Sequence, residues 1–100
     1  MGGILLVAKN EFNKALRYLD FGNNKTGEIC LKNAIETAKK EGDTITLLQA
    51  SCCYGDFLFL MGRKEEAKSH LLRVISDNSN TDVLSYEINR AKELLKELNN

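Results

Sequence analysis

The chain has 100 residues, of which 43% are hydrophobic and 28% are charged, and its 14 Lys and Arg residues balance 14 Asp and Glu residues. These proportions are typical of a single globular domain over residues 1–100, and they exclude a disordered chain, a fibrous protein and a disulfide scaffold. The zero net charge also argues against binding of nucleic acid or of a membrane surface by general electrostatic attraction.

Apolar residues at helical spacing predict a first helix over residues 4–21 and a second over residues 25–41. We expect Gly22 to end the first helix in the left-handed conformation, and one of the Asn residues after it to cap the second. The apolar face of the second helix is predicted to consist of Ile29, Cys30, Ala34, Ile35 and Ala38. The absence of proline agrees with a nearly all-helical chain, because proline interrupts helices.

The third predicted helix begins at an N-cap of Asp43 or Thr44 and runs to Met61. It is apolar on nearly all sides, which is typical of a central helix covered by its neighbours. A fourth helix is predicted over residues 64–75, a polar loop over 76–80 and a fifth helix over 81–98. Five helices with short turns and no strand predict an all-α fold built from antiparallel helix hairpins.

A shift of 40 residues brings small or apolar residues together in the same order along the chain. The pairs are Ala15 with Gly55, Tyr18 with Leu58, Gly22 with Gly62, Gly27 with Ala67, Leu31 with Leu71, and Ala34 with Val74. Helices that cross closely need small side chains at the contact, large ones beside it, and a glycine where the chain reverses. Both sets resemble the helix-turn-helix signature of the tetratricopeptide repeat family.

This resemblance implies a right-handed stack of antiparallel helix hairpins, with units over about residues 5–42 and 43–78 and a C-terminal capping helix over 81–98. The period of 40 residues is longer than the family's usual period of about 34 residues, and the proline that ends a unit is missing. The longer period is similar to that of variants with longer helices, which occur in bacterial signalling and transcription regulators.

The resemblance further implies a non-catalytic scaffold that binds a peptide or an amphipathic helix on the face of helices 1 and 3. The family's binding positions carry over to Phe12, Leu16, Leu19, Asp20, Gln49, Cys52, Asp56 and Phe59. The apolar members of this set are suited to an amphipathic partner. One variant of the family holds a C-terminal carboxylate with Lys and Asn residues. This chain lacks those residues at the corresponding positions. In the half unit, the resemblance implies binding positions on helix 5: Asn89, Lys92, Glu93 and Lys96.

Two other interpretations of these residues stay open. An apolar stripe at helical spacing is more often core than binding surface, and helix 5 could itself fill the groove between helices 1 and 3. Alternatively, the chain is a homo-oligomerisation module, possibly part of a larger signalling or transcription regulator. Its seam would be the stripe on helix 5, where apolar residues alternate at steps of four and three: Leu84, Ile88, Ala91, Leu95 and Leu98.

The residue pattern contains no catalytic or metal-binding constellation, so we expect neither an enzyme nor a bound cofactor or metal. No nucleophile is placed beside His70, and the three cysteines lack the spacing and the histidines of a zinc site. The expected partner is a protein or peptide, or a second copy, and not nucleic acid or a membrane. The apolar N-terminal stretch is too short for a signal peptide and ends at Lys9, so we expect a cytoplasmic location.

Overall fold

A computed structural model describes residues 7–77 and 82–99 of the chain. These residues contain five α-helices and no strand, which confirms the all-α prediction. Residues 82–84 form a turn, so the last helix begins later than predicted. The predicted helical residues 4–6 and 81 and the loop residues 78–80 lie outside the described residues. The helices are α1 (Val7–Asp20), α2 (Asn24–Glu41), α3 (Thr44–Leu60), α4 (Lys64–Ser76) and α5 (Ser85–Leu98).

The turns after α1, α2 and α3 have the same hydrogen bonds. In each turn the glycine N–H donates to the carbonyl three residues before it, at 3.0 Å for Gly22, 3.3 Å for Gly42 and 3.1 Å for Gly62. The next N–H, of Asn23, Asp43 or Arg63, donates to the carbonyl five residues before it, at 2.9 Å in all three turns. This is the Schellman motif, which requires a left-handed residue at the glycine position. Gly22 and Gly62 supply it with φ of 79° and 78°.

Side chains cap two of the helices immediately after such turns. The Thr26 N–H donates to Asn23 Oδ1 at 3.3 Å at the start of α2, and the Thr46 N–H donates to Asp43 Oδ1 at 3.1 Å at the start of α3. These contacts confirm the predicted caps, because each side chain satisfies an N–H group that has no partner inside its helix. The end of one helix and the cap of the next therefore lie within a few residues of each other.

The chain divides into two compact units, which we call unit 1 (residues 1–50) and unit 2 (residues 51–100). The division falls inside α3, so unit 1 contains α1, α2 and the first part of α3. Unit 2 contains the rest of α3 together with α4 and α5. The single domain and the unit boundaries near residues 42 and 78 stay predictions.

In unit 1, α1 and α2 pack closely at Gly27. A Cβ atom at this position would lie 2.6 Å from Leu19 Cδ2, so the glycine allows the approach. Ile29 was wrongly predicted on the apolar face of α2, since 52% of it is exposed. Ile29 lies about 100° around the helix from Cys30, outside the buried face. The buried residues of α2 are Gly27, Cys30, Leu31, Ala34, Ile35 and Ala38.

In unit 2, α3 and α4 pack closely at Gly55, where a Cβ atom would lie 2.5 Å from Leu71 Cδ2. The other side of this core is formed by α5, which packs on α4. The predicted stripe of α5 is partly confirmed, because Leu84, Ala91 and Leu95 are buried. Leu94, which was not predicted, is buried as well. Small and large residues therefore meet at the α3–α4 contact.

We expect Gly55→Ala to lower the free energy of unfolding by about 1 kcal/mol or more. Overpacking a core costs about 1–3 kcal/mol, which exceeds the gain of about 1 kcal/mol in helix propensity. Leu71→Ala removes the colliding atoms, so Gly55→Ala should be neutral or stabilising in that background. Urea denaturation of the four proteins in this cycle measures the difference. Equal effects of Gly55→Ala in both backgrounds would show that the two residues do not touch.

We expect Gly62→Ala to destabilise the chain by about 1–2 kcal/mol, because an alanine is strained at positive φ. No atom lies within 4 Å of a Cβ at this position, so the effect comes from the backbone alone. Gly62→Asn should cost less, since Asn tolerates the left-handed conformation better. Urea denaturation measures all three proteins, and an equal loss for both variants would argue against the backbone explanation.

Candidate functional site

The eight residues expected on the binding face divide between the two units. Unit 1 contains five of them, four on α1 and one on α3: Phe12, Leu16, Leu19, Asp20 and Gln49. Unit 2 contains the other three, all on α3: Cys52, Asp56 and Phe59. The helix α3 therefore contributes expected binding residues to both units.

In unit 1, Lys9 joins two of these residues. Its Nζ donates to Gln49 Oε1 at 3.1 Å and lies 5.6 Å from the centre of the Phe12 ring. The cation is thus held by an amide oxygen and by the face of an aromatic ring. Only 8% of Phe12 is exposed, so the chain itself covers most of the ring and a partner finds little of it.

The remaining three residues of unit 1 have different surroundings. Leu19 is half-buried and packs on Gly27 of α2, so it belongs to the contact between the helices. Leu16 is half-buried, and Asp20 is exposed. Asp20 forms no ion pair with any other described residue. Leu16 and Asp20 are therefore the expected binding residues that α1 leaves most accessible.

In unit 2, α3 pairs with α5 through two polar contacts. Cys52 Sγ donates to the Glu87 carbonyl at 3.6 Å. The Asp56 carboxylate accepts from Arg90 Nε and Nη2, each at 3.1 Å, so the pair is bidentate. Arg90 Nη1 also donates to Glu93 at 3.4 Å. Cys52 pairs with Glu87 and Asp56 with Arg90, so a later residue of α3 contacts a later residue of α5. The helix α5 therefore runs parallel to α3.

These contacts shift two ionisation equilibria. Burial, together with the nearby charges of Glu87 and Asp56, raises the pKa of the Cys52 thiol to about 12. The hydrogen bonds with Asp56 raise the pKa of the Arg90 guanidinium above its usual value. Only 4% of Cys52 is exposed, and the thiol is therefore neutral and little reactive at ordinary pH.

The pairing of α3 with α5 does not keep the spacing of 40 residues. The binding positions that the resemblance implies for the half unit, Asn89, Lys92, Glu93 and Lys96, lie 40 residues after positions on α3. In the structure Cys52 pairs with a residue 35 positions later, and Asp56 with one 34 positions later. The residues of α5 that contact α3 therefore come five or six positions earlier in the sequence than a constant spacing of 40 residues predicts.

Beyond this ion pair, a surface cavity of about 480 Å³ opens between the C-terminal parts of α3 and α5. Its lining consists of Phe59, Arg90, Glu93, Leu94, Lys96 and Glu97. Phe59 and Leu94 supply apolar surface, and the four charged side chains carry both signs. An apolar floor beside alternating charges is suited to an apolar side chain of a partner whose flanking residues are charged.

Sequence analysis missed Arg90 and Leu94, two of the residues that form this cavity. A signal for Arg90 was present, because Asp56 is the single acidic residue within α3. A charge on an otherwise apolar helix favours a partner of opposite charge on a neighbouring helix. Leu94 is marked by its helical spacing, three residues after Ala91, which the predicted stripe of α5 left out.

Comparison with known proteins identifies no relative. None of the family models, curated proteins and solved structures that were compared with the chain matches it. Within residues 7–77 and 82–99, no group of His, Cys, Asp and Glu side chains is arranged to hold a metal ion. In the same part of the chain, no helix combines the length and the apolar character needed to cross a membrane.

We expect the chain to lose stability as the pH rises from about 8.5, the ordinary pKa of a thiol in an unfolded chain, towards about 12. The folded state favours the neutral Cys52 thiol, so its contribution is complete below this window and is lost within it. Urea denaturation at several pH values measures the slope. Cys52→Ala should reduce the slope, whereas Cys53→Ala, which changes a half-buried neighbour, should change it less. An unchanged slope in Cys52→Ala would contradict the assignment.

Proposed function

We propose that the chain is a non-catalytic helical-repeat domain that binds a peptide or an amphipathic helix on the faces of α1 and α3. The observation that carries this proposal is the cavity beside Phe59, whose apolar floor and charged surroundings suit such a partner. Phe59 is also one of the positions that the family resemblance implies for the binding face.

Two sets of contacts support the repeat. Lys9 and Gln49, on the first helix of each proposed repeat, are 40 residues apart and hydrogen-bonded. The α3–α5 ion pair joins residues 34 positions apart, which is close to the family's usual period of about 34 residues. In the proposed repeat, the spacing from α1 to α3 is therefore longer than usual, and the spacing from α3 to α5 is the usual one.

The chemistry of the cavity indicates the kind of partner. Phe59 and Leu94 favour an inserted apolar side chain, and Arg90, Glu93, Lys96 and Glu97 favour flanking charges of both signs. Asp56 holds Arg90 from one side, which fixes the guanidinium at the edge of the cavity. An amphipathic helix with one large apolar residue between charged residues meets these requirements.

Self-pairing through α5 receives less support. The stripe expected to form its seam faces the chain's own core, since Leu84, Ala91 and Leu95 are buried. A coiled-coil seam needs these side chains to pack on another chain. The structure leaves too little of them accessible for that role, so the burial pattern favours recognition of a different partner.

Selection of peptides from a display library on the wild-type chain tests the proposal. We expect Phe59→Glu to weaken binding of the selected peptides by roughly tenfold or more, because it places a carboxylate in the apolar floor. Leu72→Glu is the matched control, since it changes an apolar residue of α4 that is 48% exposed. Leu16→Glu with the control Ile29→Glu repeats the comparison on unit 1.

Circular dichroism distinguishes loss of binding from loss of folding in these variants. The proposal expects the Phe59 and Leu16 variants to stay folded while their affinity falls, as measured by fluorescence anisotropy. If both variants unfold, these residues are core and the binding face does not exist as proposed. If both fold and bind as well as their controls, the peptide site lies elsewhere.

A further inference from the structure

A second surface, separate in its residues from the cavity beside Phe59, lies at the end of α1 in unit 1. Four side chains there line a surface cavity of about 300 Å³: Lys14, Arg17, Tyr18 and Phe21. Their spacing of three, four and seven residues places them on one side of the helix. We call this set the α1 patch. It combines two cations with two aromatic rings.

The aromatic part of the α1 patch faces solvent. Phe21 is 86% exposed, the highest value among the large apolar residues of the described chain. Its N–H donates to the Arg17 carbonyl at 3.1 Å, and the Schellman turn at Gly22 follows directly, so its backbone is fixed by the helix end. Its ring and that of Tyr18 line the same cavity. Contiguous exposed apolar surface of this kind is typical of an interaction site.

The cationic part of the α1 patch has charge available for a ligand. Arg17 forms no ion pair within residues 7–77 and 82–99. Lys14 pairs with Glu11 at 3.3 Å, but Lys14 is 46% exposed. Exposed pairs of this kind contribute only about 0–1 kcal/mol. An incoming carboxylate can therefore bind Arg17 in the bidentate manner and displace or share the contact of Lys14.

We propose that the α1 patch binds an acidic peptide in which an Asp or Glu stands next to a large apolar residue. The carboxylate pairs with Arg17 and Lys14, and the apolar side chain lies between Tyr18 and Phe21. Charge complementarity favours this partner over nucleic acid, whose affinity rises with the number of neutralised phosphates. Two cations, one of them already paired, are few for a phosphate backbone or an anionic membrane.

The test begins with a display library selected on the wild-type chain and counter-selected on the Arg17→Glu variant. We expect the enriched peptides to share an acidic residue beside a large apolar one. Their affinity, measured by fluorescence anisotropy, should fall by roughly tenfold or more in Arg17→Glu and in Phe21→Ala. Lys32→Glu makes the same charge change at an exposed position of α2 and should leave the affinity unchanged.

Both variants change exposed side chains, so circular dichroism should show the same helix content as the wild type. Lack of an enriched acidic motif, or equal binding to Arg17→Glu and the wild type, overturns the proposal.

Binding to single-stranded oligonucleotides, binding to anionic vesicles and sedimentation of the chain alone are measured beside the peptides. One of these three partners replaces the peptide if two results are found together. No peptide binds, and binding of oligonucleotides, binding of vesicles or self-association is lost in Arg17→Glu. Phe59→Glu should leave peptide binding at the α1 patch intact, so this result is independent of the function proposed for α3.

Discussion

The structure depends on two close contacts between helices, each made by a glycine facing a leucine. In unit 1, Gly27 of α2 faces Leu19 of α1, and in unit 2, Gly55 of α3 faces Leu71 of α4. Protein interiors are packed to crystal-like density, so an added methyl group at such a contact must displace its neighbour. The glycine lies on the second helix of the hairpin in unit 1 and on the first helix of the hairpin in unit 2. The helices of both hairpins therefore pack closely, although the small residue lies on a different helix in each.

The spacing between helices then decides which side chains meet. The residues of α5 that contact α3 lie 34 or 35 positions later in the sequence, whereas Lys9 and Gln49 are 40 apart. This register places Arg90 opposite Asp56 and leaves the cavity beside Phe59 open beyond the ion pair. The register of α5 on α3 therefore decides which side chains surround the candidate site.

Local features were predictable from the sequence, and features that depend on packing were not. The caps at Asn23 and Asp43 and the left-handed Gly22 depend on residues within one turn, so their sequence signals were sufficient. Of the positions expected on α5, Glu93 and Lys96 line the cavity, but the residues that pair with Cys52 and Asp56 are Glu87 and Arg90, because the spacing from α3 to α5 is shorter than 40 residues. The candidate site was predictable only in part. Phe59 lines a cavity, but the burial of Phe12 and Cys52 depends on contacts with other helices.

Nuclear Overhauser effects between glycine and leucine protons test the two helix contacts most directly. The close packing predicts strong effects from the Gly27 Hα protons to the Leu19 methyl groups and from the Gly55 Hα protons to the Leu71 methyl groups. The two contacts occur in different units, so each is an independent test. Observation of both effects would establish the contacts on which the register and the candidate site depend. Absence of either effect in the folded chain would contradict the account.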